Sequence, residues 1–124
     1  MDLNVKTKII EVSGNKIVEF ISDNILIENV QDVLDLLVNQ ECRGANMFII
    51  HENNLPAAFF DLKTGMAGEI LQKFTTYNIR AAIIGDFSKF SSKSLKALII
   101  ESNKHGQILF VESIDEAIKK FIRA

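Results

Sequence analysis

The sequence predicts one α/β domain over residues 1–124, with a mixed, mostly parallel sheet of about five strands and about four helices. Three features point to this class. Two short strand-like runs stand near the N-terminus, apolar runs of strand length follow, and amphipathic segments of helical spacing alternate with those runs. Because right-handed crossovers join strand, helix and strand, we expect the later strands to be parallel. A chain of 124 residues is long enough to bury one core.

The first elements are an antiparallel hairpin over residues 7–22 and an amphipathic helix. The runs KIIEV and KIVEFI flank residue types that suit a tight turn: Ser13, Gly14 and Asn15. Apolar residues at helical spacing come next: Val30, Val33, Leu34 and Leu37. We expect this helix to stop near Arg43 and Gly44, because a cation and a glycine are both favoured at a helix C-terminus.

Three further strands are predicted from the runs NMFIIH, RAAIIG and QILFVE, which are typical of strands covered on both faces. A helix follows each of them. The second helix begins close to Thr64 and carries its apolar residues on one side: Met66, Ile70, Phe74 and Tyr77. The third starts at Ser91 or Ser92, ends at Gly106 and is marked by Leu95, Leu98, Ile99 and Ser102. The fourth starts at a capping box formed by Ser113 and Glu116.

Composition argues against several classes of protein. Fourteen Lys and Arg stand against sixteen Asp and Glu, and the basic residues are scattered, so we expect no nucleic-acid interface. There is no secretory signal and no apolar run near the ~18 residues of a membrane span, so we expect a cytoplasmic protein without membrane association. Cys42 stands alone and the two histidines are far apart, which argues against a disulfide and a metal site. We expect no cofactor.

The candidate binding residues follow the strands whose carboxyl ends meet at one edge of the sheet. The stretch DLKTGMAGE leads into the second helix, and Asp86 and Ser88 follow the fourth strand. Within and after that stretch the candidates are Asp61, Lys63, Thr64, Gly65, Gly68, Glu69 and Lys73. Amides at the helix start, with Lys63, could hold a phosphate. Equally, Asp61 or Thr64 could cap the helix, and Gly65 or Gly68 could allow close packing.

No complete catalytic constellation is present, and we therefore favour a protein that is not an enzyme. The stretch lacks the glycine, lysine and threonine order of a P-loop. His51 and Glu52 are adjacent, and adjacent strand residues point to opposite faces, so His51 is interpreted as a surface histidine. Glu101 and Asn103 are interpreted as part of a solvated helix face.

Four segments resemble the signature of a bacterial family of uncharacterised proteins, domain-of-unknown-function family 4180. They are FFDLKTGMAGEILQKF, AAIIGDF, SKSL and ESNKHGQILFVES. The resemblance covers most of the chain from about Asn29 onward, and the family name implies no activity.

The element order is also similar to the STAS domain of anti-sigma-factor antagonists and sulfate transporters. In those antagonists the third strand leads to an Asp-Ser-Ser-Gly-Leu-Gly turn, and a partner kinase phosphorylates the serine before the first glycine. DLKTGMAG resembles that turn, with Asp61 at the acid, Thr64 at the acceptor and Gly65 at the first glycine. Here one extra residue separates Asp61 from the hydroxyl, and the glycines are three apart instead of two.

These features favour a non-catalytic STAS-like regulatory module whose surface from Asp61 to Lys73 docks a protein partner. The alternative is a protein, enzymatic or not, that binds a small molecule, nucleotide or phosphate through the turn amides with Lys63, Asp86 and Ser88. A homodimer is a further hypothesis, through exposed phenylalanines such as Phe59, Phe60, Phe87 and Phe90, although core packing would explain most of the nine phenylalanines.

Overall fold

The protein contains a five-stranded mixed sheet. The computed structural model describes residues 5–38, 42–45 and 47–123, the last without its side chain. The strands are β1 (Lys6–Val12), β2 (Asn15–Ile21), β3 (Met47–His51), β4 (Arg80–Ile84) and β5 (Ile108–Val111). They lie side by side in chain order, with β1 antiparallel to β2 and each later pair parallel. The predicted α/β class is confirmed.

Four longer helices accompany the sheet: α1 (Val30–Leu37), α2 (Met66–Thr76), α3 (Lys93–His105) and α4 (Ile114–Arg123). A single helical turn, Ala57–Phe60, precedes α2. Ser92 caps α3 by accepting from the Leu95 amide at 3.1 Å, and Gly106 ends that helix, both as predicted. No helix in the described part of the chain has both the length and the apolar character needed to cross a membrane.

The hairpin turn is tighter than predicted. Ser13 and Gly14 both have positive φ angles, 52° and 79°, which are typical of a two-residue type I′ turn. Asn15 already belongs to β2 and pairs with Val12 across the turn. The right-handed twist of the two strands favours this turn type.

The predicted end of the first helix near Arg43 and Gly44 is wrong, because α1 ends at Leu37 with Val38 as its cap. In the sequence, the positions three and four residues beyond Leu37 are polar, so a longer helix would have no apolar face to bury there. Residues 39–41 lie outside the described part of the chain, as does Asn46, the first residue of the predicted third strand. Gly44 does adopt a left-handed conformation, with φ 77°.

The two faces of the sheet are covered by different helices. The crossover helices α1, α2 and α3 all pack on one face, where they bury the larger core with sheet residues such as Phe48 and Ile83. On the opposite face, Ala117 and Phe121 of α4 pack against sheet residues such as Ile49 and Leu109. Tyr77, which we predicted on the apolar side of the second helix, instead caps α2 and is 52% exposed.

The outer edge of β5 is covered by polar side chains of α3. Asn103 accepts from the Phe110 amide at 2.7 Å and donates to the Phe110 carbonyl at 3.2 Å. Ser102 donates to the Ile108 carbonyl at 2.5 Å. The interpretation of Asn103 as part of a solvated face is therefore wrong, because its amide replaces a neighbouring strand, whereas Glu101 is exposed.

Candidate functional site

Two loops at the carboxyl edge of the sheet adopt the same local structure. Asp61 precedes one turn of 3₁₀ helix, Leu62–Thr64, and Asp86 precedes another, Phe87–Lys89. The Asp61 carboxylate accepts from the Lys63 amide at 3.2 Å, and that of Asp86 from the Ser88 amide at 3.1 Å. The two aspartates also share their backbone angles, φ −100° with ψ 100° and φ −103° with ψ 100°. Each aspartate thus closes its own turn, as Asp commonly does.

An aromatic cluster joins these two turns. Phe60, directly before Asp61, stacks on Phe90 with centroids 4.9 Å apart and lies 6.2 Å from Phe87, which directly follows Asp86. Because both turns flank one packed cluster, we name residues 61–65 and 86–90 together the twin-turn surface.

The predicted patch of exposed phenylalanines is wrong. Phe59 and Phe60 are only 0% and 9% exposed, and Phe87 and Phe90 are partly buried against the main core. Phe87 also meets Phe110 of β5 edge to face, with centroids 5.4 Å apart. The phenylalanines therefore hold the loops onto the sheet.

Thr64 fixes the end of the first turn. Its hydroxyl lies 2.7 Å from the Ala58 carbonyl and 2.9 Å from that of Asp61, and it accepts from the Met66 amide at 3.2 Å. Since Met66 is the first residue of α2, the hydrogen bond to the first amide of this helix comes from Thr64 and not from Asp61. Gly65 between them has φ 78°, a conformation that glycine adopts without strain.

Gly68 has no packing role. It is exposed in the first turn of α2, and a Cβ atom there would meet nothing within 4 Å. The same is true of Gly65, so the prediction that these glycines allow close packing is wrong. Gly68 therefore leaves helix backbone exposed three residues after Gly65 of the twin-turn surface, and the next side chain, that of Glu69, is exposed as well.

Lys73 lies one helical turn beyond Glu69 and away from the candidates in the two turns. It is in the last turn of α2, and its Nζ is 5.6 Å from the centre of the Tyr77 ring. It follows Met66, the first residue of the helix, by seven positions, which is about 10 Å along the axis. Lys63, by contrast, is exposed within the twin-turn surface.

Asp86 and Ser88 form a closed pair. The Ser88 hydroxyl donates to the Asp86 carboxylate at 2.6 Å, in addition to the amide bond. Both bonds favour the ionised carboxylate and lower the pKa of Asp86, and the nearby charge of Lys89 lowers it further. Lys89 itself forms an ion pair with Glu52.

Glu52 packs across the end of β4. A Cβ atom at Gly85 would lie 2.6 Å from Oε1 and 2.7 Å from Cβ of Glu52, so only glycine fits beneath this side chain. The Glu52 carboxylate then reaches Lys89 in the second turn. The carboxyl end of β3 is thereby tied to the twin-turn surface.

A buried carboxylate that the sequence interpretation missed lies beside this edge. Glu19 of β2 is 6% exposed, and its Oε2 is 2.7 Å from Nε2 of His51 at the end of β3. The side chain of His51 is 32% exposed, so it is a half-buried partner of Glu19 and not a surface histidine. Glu19 lies 32 residues earlier in the chain, and only the strand pairing brings it near.

In the described residues, no three His, Cys, Asp or Glu side chains form a group suited to a metal ion.

Asn54 anchors the loop that follows β2. It is 0% exposed, and its amide nitrogen donates to the carbonyls of Ser22 and Asn24, each at 2.9 Å. Its side-chain oxygen accepts from the His51 amide at 2.9 Å. The Asn54 carbonyl accepts from Leu26 at 2.8 Å. Nothing in the local sequence distinguishes Asn54 from exposed Asn53, so its role was not predicted.

These features define an α/β protein whose polar groups at the carboxyl edge are mostly bonded to one another. The chain matches the family described as domain of unknown function (DUF4180) over residues 12–121 and belongs to it. Comparison with curated proteins gives no significant match, and comparison with solved structures gives none.

Proposed function

We propose that this protein is a non-catalytic regulatory module, a single STAS-like domain of a bacterial cytoplasm, that binds a protein partner through the twin-turn surface and the first turn of α2. Gly68 carries the proposal. A glycine inside a helix costs roughly 0.5–1 kcal/mol relative to alanine, and here no neighbouring atom requires it. Close approach of another chain to the helix backbone is a physical reason for an exposed glycine at this position.

The order and exposure of the twin turns also support a docking surface. Asp61, Lys63 and Asp86 are exposed, whereas the turns that display them are closed by their own hydrogen bonds and rest on the phenylalanine cluster. A partner would therefore meet a surface already in its bound shape, and little conformational entropy would be lost on binding.

The alternative, a phosphate or nucleotide site at the same turn, has less support. All three crossover helices lie on one face, and the strand order never reverses, so the sheet has no topological switch point of the kind at which α/β proteins bind ligands. Asp61 and Asp86 also place two negative charges where an anion would bind. Ser88, which the alternative would use, is already bonded to Asp86.

Thr64 is the residue through which binding would be regulated. Phosphorylation would remove the hydroxyl proton that now bonds a carbonyl of the turn, and would add close to two negative charges next to Asp61. The turn would loosen, and the added charge would disturb the contacts that a bound partner makes with this surface. This follows the STAS resemblance of the turn, in which Thr64 stands at the acceptor position.

A site-specific photo-crosslinking experiment tests the proposal. A photoreactive amino acid replaces Lys63 in one protein and Lys119 in a matched control; both positions are exposed, but Lys119 lies on α4, across the sheet. Each purified protein is irradiated in an extract of its own cells. We expect a discrete adduct of higher mass at position 63 alone, which excess wild-type protein suppresses.

Two outcomes contradict the proposal. One is the same set of adducts at positions 63 and 119, and the other is an adduct that excess wild-type protein does not reduce. A parallel NMR titration with nucleotides and phosphorylated sugars should leave the amides of residues 61–69 unchanged. Saturable shifts there would favour the phosphate-binding alternative.

A further inference from the structure

The two edges of the sheet differ in how their backbone groups are bonded. On β5, the Asn103 side chain is hydrogen-bonded to the outward N–H and C=O of Phe110. The Ser102 hydroxyl is hydrogen-bonded to the outward C=O of Ile108. This edge therefore offers little to another strand. The opposite edge, β1, has no such cover among the described residues.

The outward backbone groups of β1 follow from its hairpin. Val12 and Asn15 flank a two-residue turn and form a hydrogen-bonded pair, and bonded pairs then alternate along the two strands. The N–H and C=O groups of Thr7, Ile9 and Glu11 therefore point away from β2. None of them has a hydrogen-bond partner in the described part of the chain.

The side chains of β1 have a distinct pattern on each face. Ile9, opposite Val18, lies on the face of the crossover helices and is 46% exposed. On the other face, Lys6 and Lys8 are exposed, and the ion pairs within the described residues include neither of them. Lys8 stands opposite Glu19 in register, but the Glu19 carboxylate is bonded to His51.

We propose that β1 binds an extended segment of a partner protein as a sixth strand, and that acidic residues alternate with apolar ones in this segment. The apolar residues would cover Ile9, and the acidic residues would lie near Lys6 and Lys8 on the opposite face. Backbone bonds to Thr7, Ile9 and Glu11 would supply affinity, as in other cases of strand addition. This surface is separate from the twin-turn surface and does not depend on it.

A second copy of the chain fits this edge less well. Symmetric antiparallel pairing of two β1 strands about Ile9 places the two Lys8 side chains at diagonal positions on one face, where like charges repel. Lysines on an edge strand commonly prevent self-association in this way. The same lysines attract a segment of opposite charge.

The test uses blocked heptapeptides and the whole protein. One peptide alternates Glu with Val, a second alternates Lys with Val, and a third has the acidic sequence with N-methylated backbone amides. We expect the acidic peptide alone to give saturable NMR shifts at Thr7, Ile9 and Glu11. At saturation, hydrogen exchange of these three amides should slow by roughly tenfold or more. The amides of Lys8 and Ile10, which face β2, serve as internal controls.

A charge-reversed variant makes the test specific. In the Lys6→Glu, Lys8→Glu double variant, which changes only exposed side chains, the Lys-Val peptide should bind instead of the acidic one. The proposal is overturned if no peptide shifts these amides at millimolar concentration. It is also overturned if the acidic and basic peptides bind wild type equally, or if the N-methylated peptide binds as tightly as the unmethylated acidic one. A dimer in sedimentation that pairs through β1 would also overturn it.

Discussion

The buried carboxylate of Glu19 on β2 and the imidazole of His51 at the end of β3 lie 2.7 Å apart and join two parallel strands. Removing the hydrogen-bond partner of a buried carboxylate leaves that group unsatisfied, which is more costly than losing an exposed hydrogen bond. We therefore expect His51→Ala to lower the free energy of unfolding by about 2–4 kcal/mol, less than for a fully buried pair because His51 is half-buried. Urea unfolding measures this change.

The second histidine provides the control for that experiment. His105 is exposed at the end of α3, so His105→Ala should change the free energy of unfolding by less than about 0.5 kcal/mol. Equal free energies of unfolding for the two variants would mean that the contact between Glu19 and His51 does not stabilise the fold.

Asn54 gives a second matched pair of variants. Asn54→Ala removes three hydrogen bonds of a fully buried side chain and leaves the carbonyls of Ser22 and Asn24 without this donor, so we expect the free energy of unfolding to fall by about 2–5 kcal/mol. Asn53→Ala, at the exposed neighbouring position, should be nearly neutral. Thermal unfolding of the two proteins measures the difference, and similar melting temperatures would refute the assigned anchor role of Asn54.

The Asp86 carboxylate should titrate below its ordinary range, because the Ser88 hydroxyl and amide both donate to its ionised form. Its contribution to stability is therefore complete above the pKa of the unfolded chain and is lost as the pH falls through the lower folded value. Ser88→Ala removes the hydroxyl bond, so the Asp86 pKa should rise toward its ordinary value. Carboxyl-carbon NMR measures this, with the exposed Ser94→Ala as control. An unchanged Asp86 titration in Ser88→Ala would contradict the assignment.

Asn103 should control the exposure of the β5 edge. In Asn103→Ala the Phe110 amide loses its 2.7 Å acceptor, so its hydrogen exchange should speed up by roughly tenfold or more, while amides that face β4 keep their protection. Glu101→Ala, on the exposed side of the same helix, should leave Phe110 unchanged. Equal exchange of Phe110 in both variants would show that Asn103 does not protect this edge.

The sequence was most informative where a pattern repeats along the chain. Apolar runs located β3, β4 and β5, and capping residues located the ends of α3. The capping box of α4 was half right: Ser113 accepts from the Glu116 amide at 3.1 Å, but the Glu116 carboxylate accepts from Glu112 at 3.2 Å instead of from Ser113. Local geometry of this kind depends on neighbouring residues, which a sequence displays directly.

Contacts between distant segments could not be predicted in the same way. The phenylalanines near the carboxyl edge were interpreted as a surface patch, because sequence spacing does not show that Phe60 meets Phe90 across two loops. The local sequence does not distinguish Glu19 from other strand residues, because only the pairing of β2 with β3 brings His51 next to it. For the candidate site, the sequence located Asp61 and Asp86 in the segments after their strands, but the turn structure that they share depends on their backbone angles.

The most direct test of the docking surface adds unlabelled wild type or unlabelled Gly68→Ala to the crosslinking experiment with the photoreactive residue at position 63. It compares how well each protein suppresses the adduct. Alanine is expected to stabilise α2 by about 0.5–1 kcal/mol, because it favours the helix and meets no neighbour. If a partner packs on this backbone, the more stable variant should still be the weaker competitor, and roughly tenfold more of it should be needed to halve the adduct. If Gly68→Ala competes as well as wild type, no partner contacts the helix at Gly68, and the proposed docking surface is wrong.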